Sequence, residues 1–160
     1  MLKLQLRYLS FFLGLISILS FFNILYSYYL NLYLNLNTYY YSLFTSLVLS
    51  IIFYKINLYE KKISIFDKIL TVFFGYIFLP LILSIPFYFS IYNLTFLNSY
   101  FESISGFTST GFSIFENIRN IDQSLIIWRS STQWLGGLYF LFSIIFLIDI
   151  YDENLKKTLT

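Results

Sequence analysis

The chain has 160 residues, of which 58% are hydrophobic, 24% aromatic and only 11% charged, and its mean hydropathy is +0.72. Soluble domains carry far more charge, so the composition excludes one and predicts an all-α polytopic membrane protein. The formal net charge of +2 is too small to indicate a nucleic-acid partner. Without Cys or His, the chain lacks disulfides, the usual transition-metal ligands and the commonest general base.

The first half of the chain predicts a pair of transmembrane helices. Residues 8–30 form an apolar run that is too long for a signal peptide and has no small-residue cleavage site after it, so we expect a retained span. Residues 40–56 predict a second span, and the tyrosine-rich turn between the two has the composition of an interfacial aromatic belt. Residues 55–68 hold four lysines, and positive charge marks the cytoplasmic side.

Two more spans are predicted in the second half, over residues 69–92 and 125–148. Pro80 and Pro86 interrupt the backbone hydrogen bonds of the first of these, either as ordinary packing features or as a bend that makes room for the next segment. The polar tail, residues 149–160, then lies in the cytoplasm together with the N-terminus, because the basic residues concentrate on that side.

The last of these spans opens with two long polar side chains, Arg129 and Gln133. Near the outer end of a span such side chains reach the membrane interface. Gly136 and Gly137 follow, and small residues at these positions allow another helix to approach closely.

Between the third and fourth spans lies a stretch, residues 98–112, that is too short and too polar to cross a bilayer. We expect it to enter the membrane and turn back, since irregular backbone is tolerated there only where protein covers it or where it lines a water-filled path. Ser99 and Glu102 have the spacing of a capping box and predict two helical turns that end at Phe107. Capping is the interpretation we prefer for Glu102, with attraction of cations to a pore mouth as the alternative.

The residues after that short helix predict a cation site. Thr-Ser-Thr-Gly at residues 108–111 is expected to be extended, with small side chains and carbonyls that face one direction. The carbonyl end of the preceding helix carries about half a negative charge and points the same way. Both features favour a cation.

Three motifs follow one another in this region. They are Phe-Glu-Ser-Ile-Ser-Gly-Phe-Thr-Ser-Thr-Gly-Phe-Ser at residues 101–113, Trp-Arg-Ser at 128–130 and Gln-Trp-Leu-Gly-Gly at 133–137. In this order and spacing they resemble the first pore loop and the following helix of the Trk/Ktr potassium-transporter family, closest to its TrkH-type membrane subunits. The loop departs from the family pattern at Ser109, where the family usually carries Thr; the backbone role is kept.

The resemblance implies an N-terminal helix pair, residues 1–66, followed by one helix–pore loop–helix repeat, residues 67–160. It also implies potassium uptake across the bacterial plasma (inner) membrane. The residues whose backbone carbonyls would bind K+ are Thr108, Ser109, Thr110 and Gly111. A family subunit folds four such loops in one chain, so we expect this chain to be an N-terminal portion of a transporter, truncated or split after its first repeat.

The partners that the resemblance implies are the remaining pore repeats or a second copy of the subunit, the membrane lipid, and a cytosolic nucleotide-binding regulatory subunit. No cofactor is expected beyond the transported K+. Two alternatives stay open: four copies that form a homotetrameric cation channel, and a non-transporting structural or assembly protein. We do not expect an enzyme, because His and Cys are absent and Glu102 has no second carboxylate nearby in sequence.

Overall fold

A computed structural model describes residues 4–56 and 65–158. Every regular element in these two ranges is helical. The elements are α1 (Leu6–Tyr29), α2 (Leu36–Ile56), α3 (Ile65–Leu83), α4 (Ile85–Tyr88), α5 (Phe96–Phe107), a 3-10 turn (Ile118–Asn120) and α6 (Gln123–Thr158).

Four helical stretches in the described residues are long and apolar enough to cross a membrane. They are Leu6–Tyr29, Leu36–Ile56, Phe66–Tyr88 and Gln123–Leu147. The helices follow from long apolar runs, and both prolines of the chain, Pro80 and Pro86, lie in the third of them. The prediction of an all-α polytopic membrane protein with four spans is therefore confirmed.

The N-terminal helices α1 and α2 pack antiparallel through small hydroxyl side chains. Ser20 Oγ donates to Ser42 Oγ at 3.1 Å, and Ser50 Oγ donates to the Ser10 carbonyl at 2.8 Å. Small residues let helix backbones approach closely in a membrane, where there is no hydrophobic drive to bring helices together.

Helices α3 and α6 also run antiparallel, and two buried aromatic side chains fix their register. Trp128 Nε1 donates to the Leu83 carbonyl at 3.1 Å, and Tyr139 OH donates to the Val72 carbonyl at 2.9 Å. Trp128 and Tyr139 are fully buried. Because their polar atoms have partners, both rings can fill the core without leaving a donor unsatisfied.

The third span is broken near its C-terminal end, just before Pro86, whereas Pro80 lies inside α3. Helix α3 ends at Leu83, Ser84 is in a turn, and Pro86 lies in the first turn of α4. Since Pro86 has no N–H, the Ile82 carbonyl, four residues before it, loses the donor that a regular helix would supply. The Leu83 carbonyl, at the end of α3, accepts from Trp128 Nε1. The expected interruption is thus present at Pro86, while α3 runs through Pro80 without a break.

The C-terminal helix extends beyond the apolar span. The sequence predicts the last span over residues 125–148 and a polar tail after it, and α6 runs through both as one helix to Thr158. Nothing between the apolar and polar parts breaks the helix, since no Gly or Pro occurs there. The basic connection between α2 and α3 lies mostly outside the described residues.

Candidate functional site

The short helix α5 starts earlier than the sequence predicted. Its N-cap is Thr95, whose side chain accepts from the backbone N–H of Asn98 at 3.3 Å. Ser99, the expected N-cap, lies inside the helix, and its hydroxyl donates to the Thr95 carbonyl at 3.0 Å. The capping-box prediction was therefore wrong, while the predicted helix end at Phe107 is confirmed.

Helix α5 is inserted against the broken end of α3. Ser103 Oγ donates to the Pro80 carbonyl at 2.8 Å, and Tyr100 OH donates to the Ile77 carbonyl at 3.1 Å. With 12 residues, α5 rises about 18 Å and cannot cross a bilayer.

The last residue of α5 is held in the middle of the bundle. Phe107 is 1% exposed, and its ring packs 5.8 Å from Tyr76 and 5.3 Å from Tyr139. Its backbone lies directly against Gly136 on α6, where a Cβ would come 1.8 Å from the Phe107 carbonyl oxygen. Gly136 therefore allows the close approach that the sequence suggested, whereas a Cβ on Gly137 would meet nothing within 4 Å.

The chain leaves α5 through a tight C-terminal cap. Ser109 N donates to the Gly106 carbonyl at 2.9 Å, and Thr110 N donates to the Ser105 carbonyl at 3.1 Å. With Ser109 in the left-handed region at φ 57°, this pattern is a Schellman motif. Residues 108 and 109 thus form a turn, in place of the extended chain that we expected, and irregular chain follows from Thr110.

The N–H groups of residues 108–111 all donate back to carbonyls of α5. All four residues 108–111 are exposed, and Gly111 also has a positive φ of 81°. Within the described residues, no hydrogen bond reaches the carbonyl oxygens of Thr108, Ser109 and Thr110. Carbonyl oxygens without a hydrogen-bond partner keep both lone pairs available as acceptors.

Behind the turn lies a buried ion pair that sequence reasoning missed. Arg129 Nε donates to Glu102 Oε1, and the two side chains are 11% and 0% exposed respectively. Glu102 also accepts from Ser113 Oγ and from the Ile114 N–H, each at 3.1 Å. Glu102 is therefore neither a helix cap nor a free charge at a mouth; it joins α5 to the returning chain and to α6.

The same arginine reaches the end of the exposed turn. Arg129 Nη2 donates to the carbonyls of Gly111 and Phe112 at 3.3 Å each, and Ser105 Oγ donates to the Phe112 carbonyl at 2.6 Å. The Gly111 carbonyl thus differs from the three before it, because a guanidinium already occupies one side of it. The sequence analysis expected the Arg129 side chain to reach the membrane interface. The sequence signal that could have indicated its pairing with Glu102 is the presence of one carboxylate and one arginine in neighbouring, otherwise apolar segments.

The segment that carries α5 returns to the end of the bundle from which it started. The rings of Tyr92, before α5, and Phe115, after it, lie 5.6 Å apart. The backbone N–H of Asp122 donates to Tyr92 OH at 2.8 Å. The two flanks of the segment are therefore neighbours, as a re-entrant course requires.

Comparison with known proteins finds partial relatives. The chain is 40% identical to the Trk system potassium uptake protein TrkI of Halomonas elongata over 60 residues. This aligned stretch covers 38% of this chain and 11% of TrkI. It is 36% identical over 55 residues to an uncharacterized cation transporter of Methanocaldococcus jannaschii, covering 34% and 12%. Against TrkG of Escherichia coli the identity is 35% over 46 residues, covering 29% and 10%.

This chain is similar to Trk potassium uptake proteins. The resemblance predicted from the motifs is thereby confirmed over about a third of the chain. The matched stretch spans only about a tenth of the length of these relatives. All three are named as transport proteins, not as enzymes. No protein-family model matches the chain, and no solved structure matches it significantly.

Proposed function

We propose that this chain contributes one pore-loop repeat, residues 67–160, and the helix pair before it, residues 1–66, to a potassium-uptake transporter of the bacterial plasma membrane, with both termini in the cytoplasm. One observation carries the proposal. The short helix α5 enters the bundle and ends in an exposed turn whose carbonyl oxygens have no hydrogen-bond partner, and the chain then returns to the end of the bundle from which it came. The similarity to Trk proteins points to potassium as the ion.

The physical task of such a turn is to replace water around the ion. Moving an ammonium-sized cation from water into a low-dielectric medium costs of order 20 kcal/mol in an idealised estimate. The carbonyl oxygens of Thr108, Ser109 and Thr110 supply part of a substitute hydration shell, and Gly111 adds its carbonyl on the side away from Arg129. The carbonyl end of α5, immediately before the turn, adds about half a negative charge.

A single turn covers only one side of an ion. Filters of this kind are rings, built in potassium channels from four loops. In our proposal the rest of the ring comes from further repeats of the same transporter or from a second copy of this subunit, and a cytosolic nucleotide-binding subunit regulates the assembly.

A chimera tests the proposal without requiring the chain to act alone. This chain replaces the part of TrkI that it matches, together with everything N-terminal to that part, and the chimera is expressed in a potassium-starved host that lacks its own uptake systems. We expect K+ uptake and growth. Gly111→Val should abolish both, because a β-branched residue is strongly disfavoured at φ 81°.

Gly137→Ala is the matched control, since its Cβ meets nothing within 4 Å. A chimera that reaches the membrane but takes up no K+ would contradict the proposal, as would uptake that is indifferent to Gly111→Val. That indifference would favour the structural or assembly protein. Uptake by this chain expressed by itself would favour the homotetrameric channel.

A further inference from the structure

Asn35 is a buried polar residue immediately before α2, but its side chain does not cap that helix. It is 1% exposed and immediately precedes α2. Its backbone carbonyl accepts from the N–H and the hydroxyl of Thr38, at 3.1 and 2.7 Å. An Asn before a helix ordinarily uses its side chain to accept from the first helical turn, but here the side chain bonds elsewhere.

The side chain of Asn35 joins the two flanks of the re-entrant segment. Its Oδ1 accepts from the Ile91 N–H at 3.1 Å, and its Nδ2 donates to Asp122 Oδ2 at 2.8 Å. Ile91 precedes α5 and Asp122 follows the returning chain, so one amide bonds to both limbs. Only one orientation of the amide satisfies both, since Ile91 offers a donor and Asp122 an acceptor.

The acceptor on the far limb is itself fixed to the N-terminal helix pair. Ser124 Oγ donates to Asp122 Oδ2 at 2.6 Å, and Tyr39 OH on α2 lies 2.8 Å from Ser124 Oγ. The limb that leads into α6 is therefore bonded to Tyr39 on α2 and to Asn35 immediately before α2. The near limb at Ile91 is joined to it through Asn35.

We propose that Asn35 is a positioning residue that holds the two limbs of the re-entrant segment together at their base and so sets the spacing of the carbonyl turn at residues 108–111. Its effect on ions rests on the proposed function, whereas its effect on the limbs does not. Through Asn35 and Tyr39, the N-terminal helix pair then helps to position the turn at residues 108–111. Loss of the amide leaves the partly buried Ile91 N–H and the partly buried Asp122 Oδ2 each short of one partner.

The absence of Cys from the chain allows a direct measurement. Spin labels at Ile91→Cys and Glu116→Cys, two exposed positions on opposite limbs, report the distance between the limbs in lipid vesicles. We expect a narrow distance distribution, which becomes broader and longer with Asn35→Ala. Asn37→Ala, an exposed asparagine two residues away, should leave the distribution unchanged.

A rescue variant separates positioning from general damage. Asn35→Asp alone sets two carboxylates against each other and should widen the distribution. In the double variant with Asp122→Asn, the carboxylate at position 35 accepts from the Ile91 N–H and also from the amide NH2 at position 122. Both bonds are restored, the second with donor and acceptor exchanged, so the narrow distance distribution should return. Unchanged distributions in Asn35→Ala would overturn the proposal, and so would failure of the reversed pair to rescue a chain that still folds.

The second measurement is the ratio of K+ to Na+ uptake. A residue that only stabilised the fold would change the amount of uptake but not this ratio. In the TrkI chimera, at equal amounts in the membrane, Asn35→Ala should lower the ratio of K+ to Na+ uptake by about tenfold, and the reversed pair should recover it. A lower total uptake with an unchanged ratio would contradict positioning of the turn. If the chimera transports nothing at all, the proposed function fails, and the spin-label distances still decide whether Asn35 holds the limbs.

Discussion

Replacing Gly136 by Ala tests whether α5 rests directly on α6. The new Cβ would lie 1.8 Å from the Phe107 carbonyl oxygen and 2.5 Å from its carbonyl carbon. Real Cβ contacts essentially never fall below 3.0 Å, so the carbonyl oxygen must move by at least 1.2 Å, the difference between 3.0 and 1.8 Å. Because the obstacle is backbone, the end of α5 has to shift as a unit, and overpacking of this kind costs about 1–3 kcal/mol.

The neighbouring glycine supplies the control for this substitution. Gly137→Ala brings the same gain in helix propensity, about 1 kcal/mol, without a clash. The difference between the two variants therefore isolates the contact with Phe107. For a chain of this size we expect Gly136→Ala to unfold on the order of 5 °C below Gly137→Ala in detergent micelles.

The displacement should also be felt at the turn, because Phe107 directly precedes Thr108. In the TrkI chimera, Gly136→Ala should reduce K+ uptake while Gly137→Ala leaves it near the parent level. Equal unfolding temperatures and equal uptake in the two variants would show that α5 does not lie against α6 at this point, and the arrangement described for the turn would be wrong.

Three further substitutions have definite expected outcomes. Arg129→Met leaves the buried carboxylate of Glu102 unpaired and should destabilise the protein by about 3–5 kcal/mol, whereas the double variant with Glu102→Met recovers much of this loss in thermal unfolding. Trp128→Phe removes the donor to the Leu83 carbonyl and should cost about 1–3 kcal/mol, measured in the same way. Gly111→Ala meets open space but a disfavoured φ, so it should cost only about 1–2 kcal/mol in unfolding, and a larger loss would indicate an unrecognised contact.

The overall architecture follows from local properties of the sequence. A span needs about 20 consecutive apolar residues, and this requirement depends on neighbours in the chain and on the thickness of the bilayer. The four spans, the break near Pro86 and the end of α5 at Phe107 were therefore predictable. The start of α5 was misplaced because both Thr95 and Ser99 are good capping residues, and sequence alone does not choose between them.

The functional details were less predictable for a different reason. Glu102 fits a capping box by spacing, and only the position of α6 shows that it pairs with Arg129 instead. The departure from extended chain at Ser109 likewise depends on the carbonyls that α5 presents at its end. In each case the local pattern was consistent with two structures, and packing selected one.

The amino-acid sequence by itself determined that this protein is a helical membrane protein with a short polar segment between its third and fourth spans, because burial in lipid is decided by runs of adjacent residues. Tertiary structure alone decided what holds that segment. Arg129 lies 27 residues from Glu102, and Asn35 lies 56 and 87 residues from the two groups that it joins. Hydrogen bonds and ion pairs need atoms within about 3 Å of each other, and only the folded chain brings such distant residues that close.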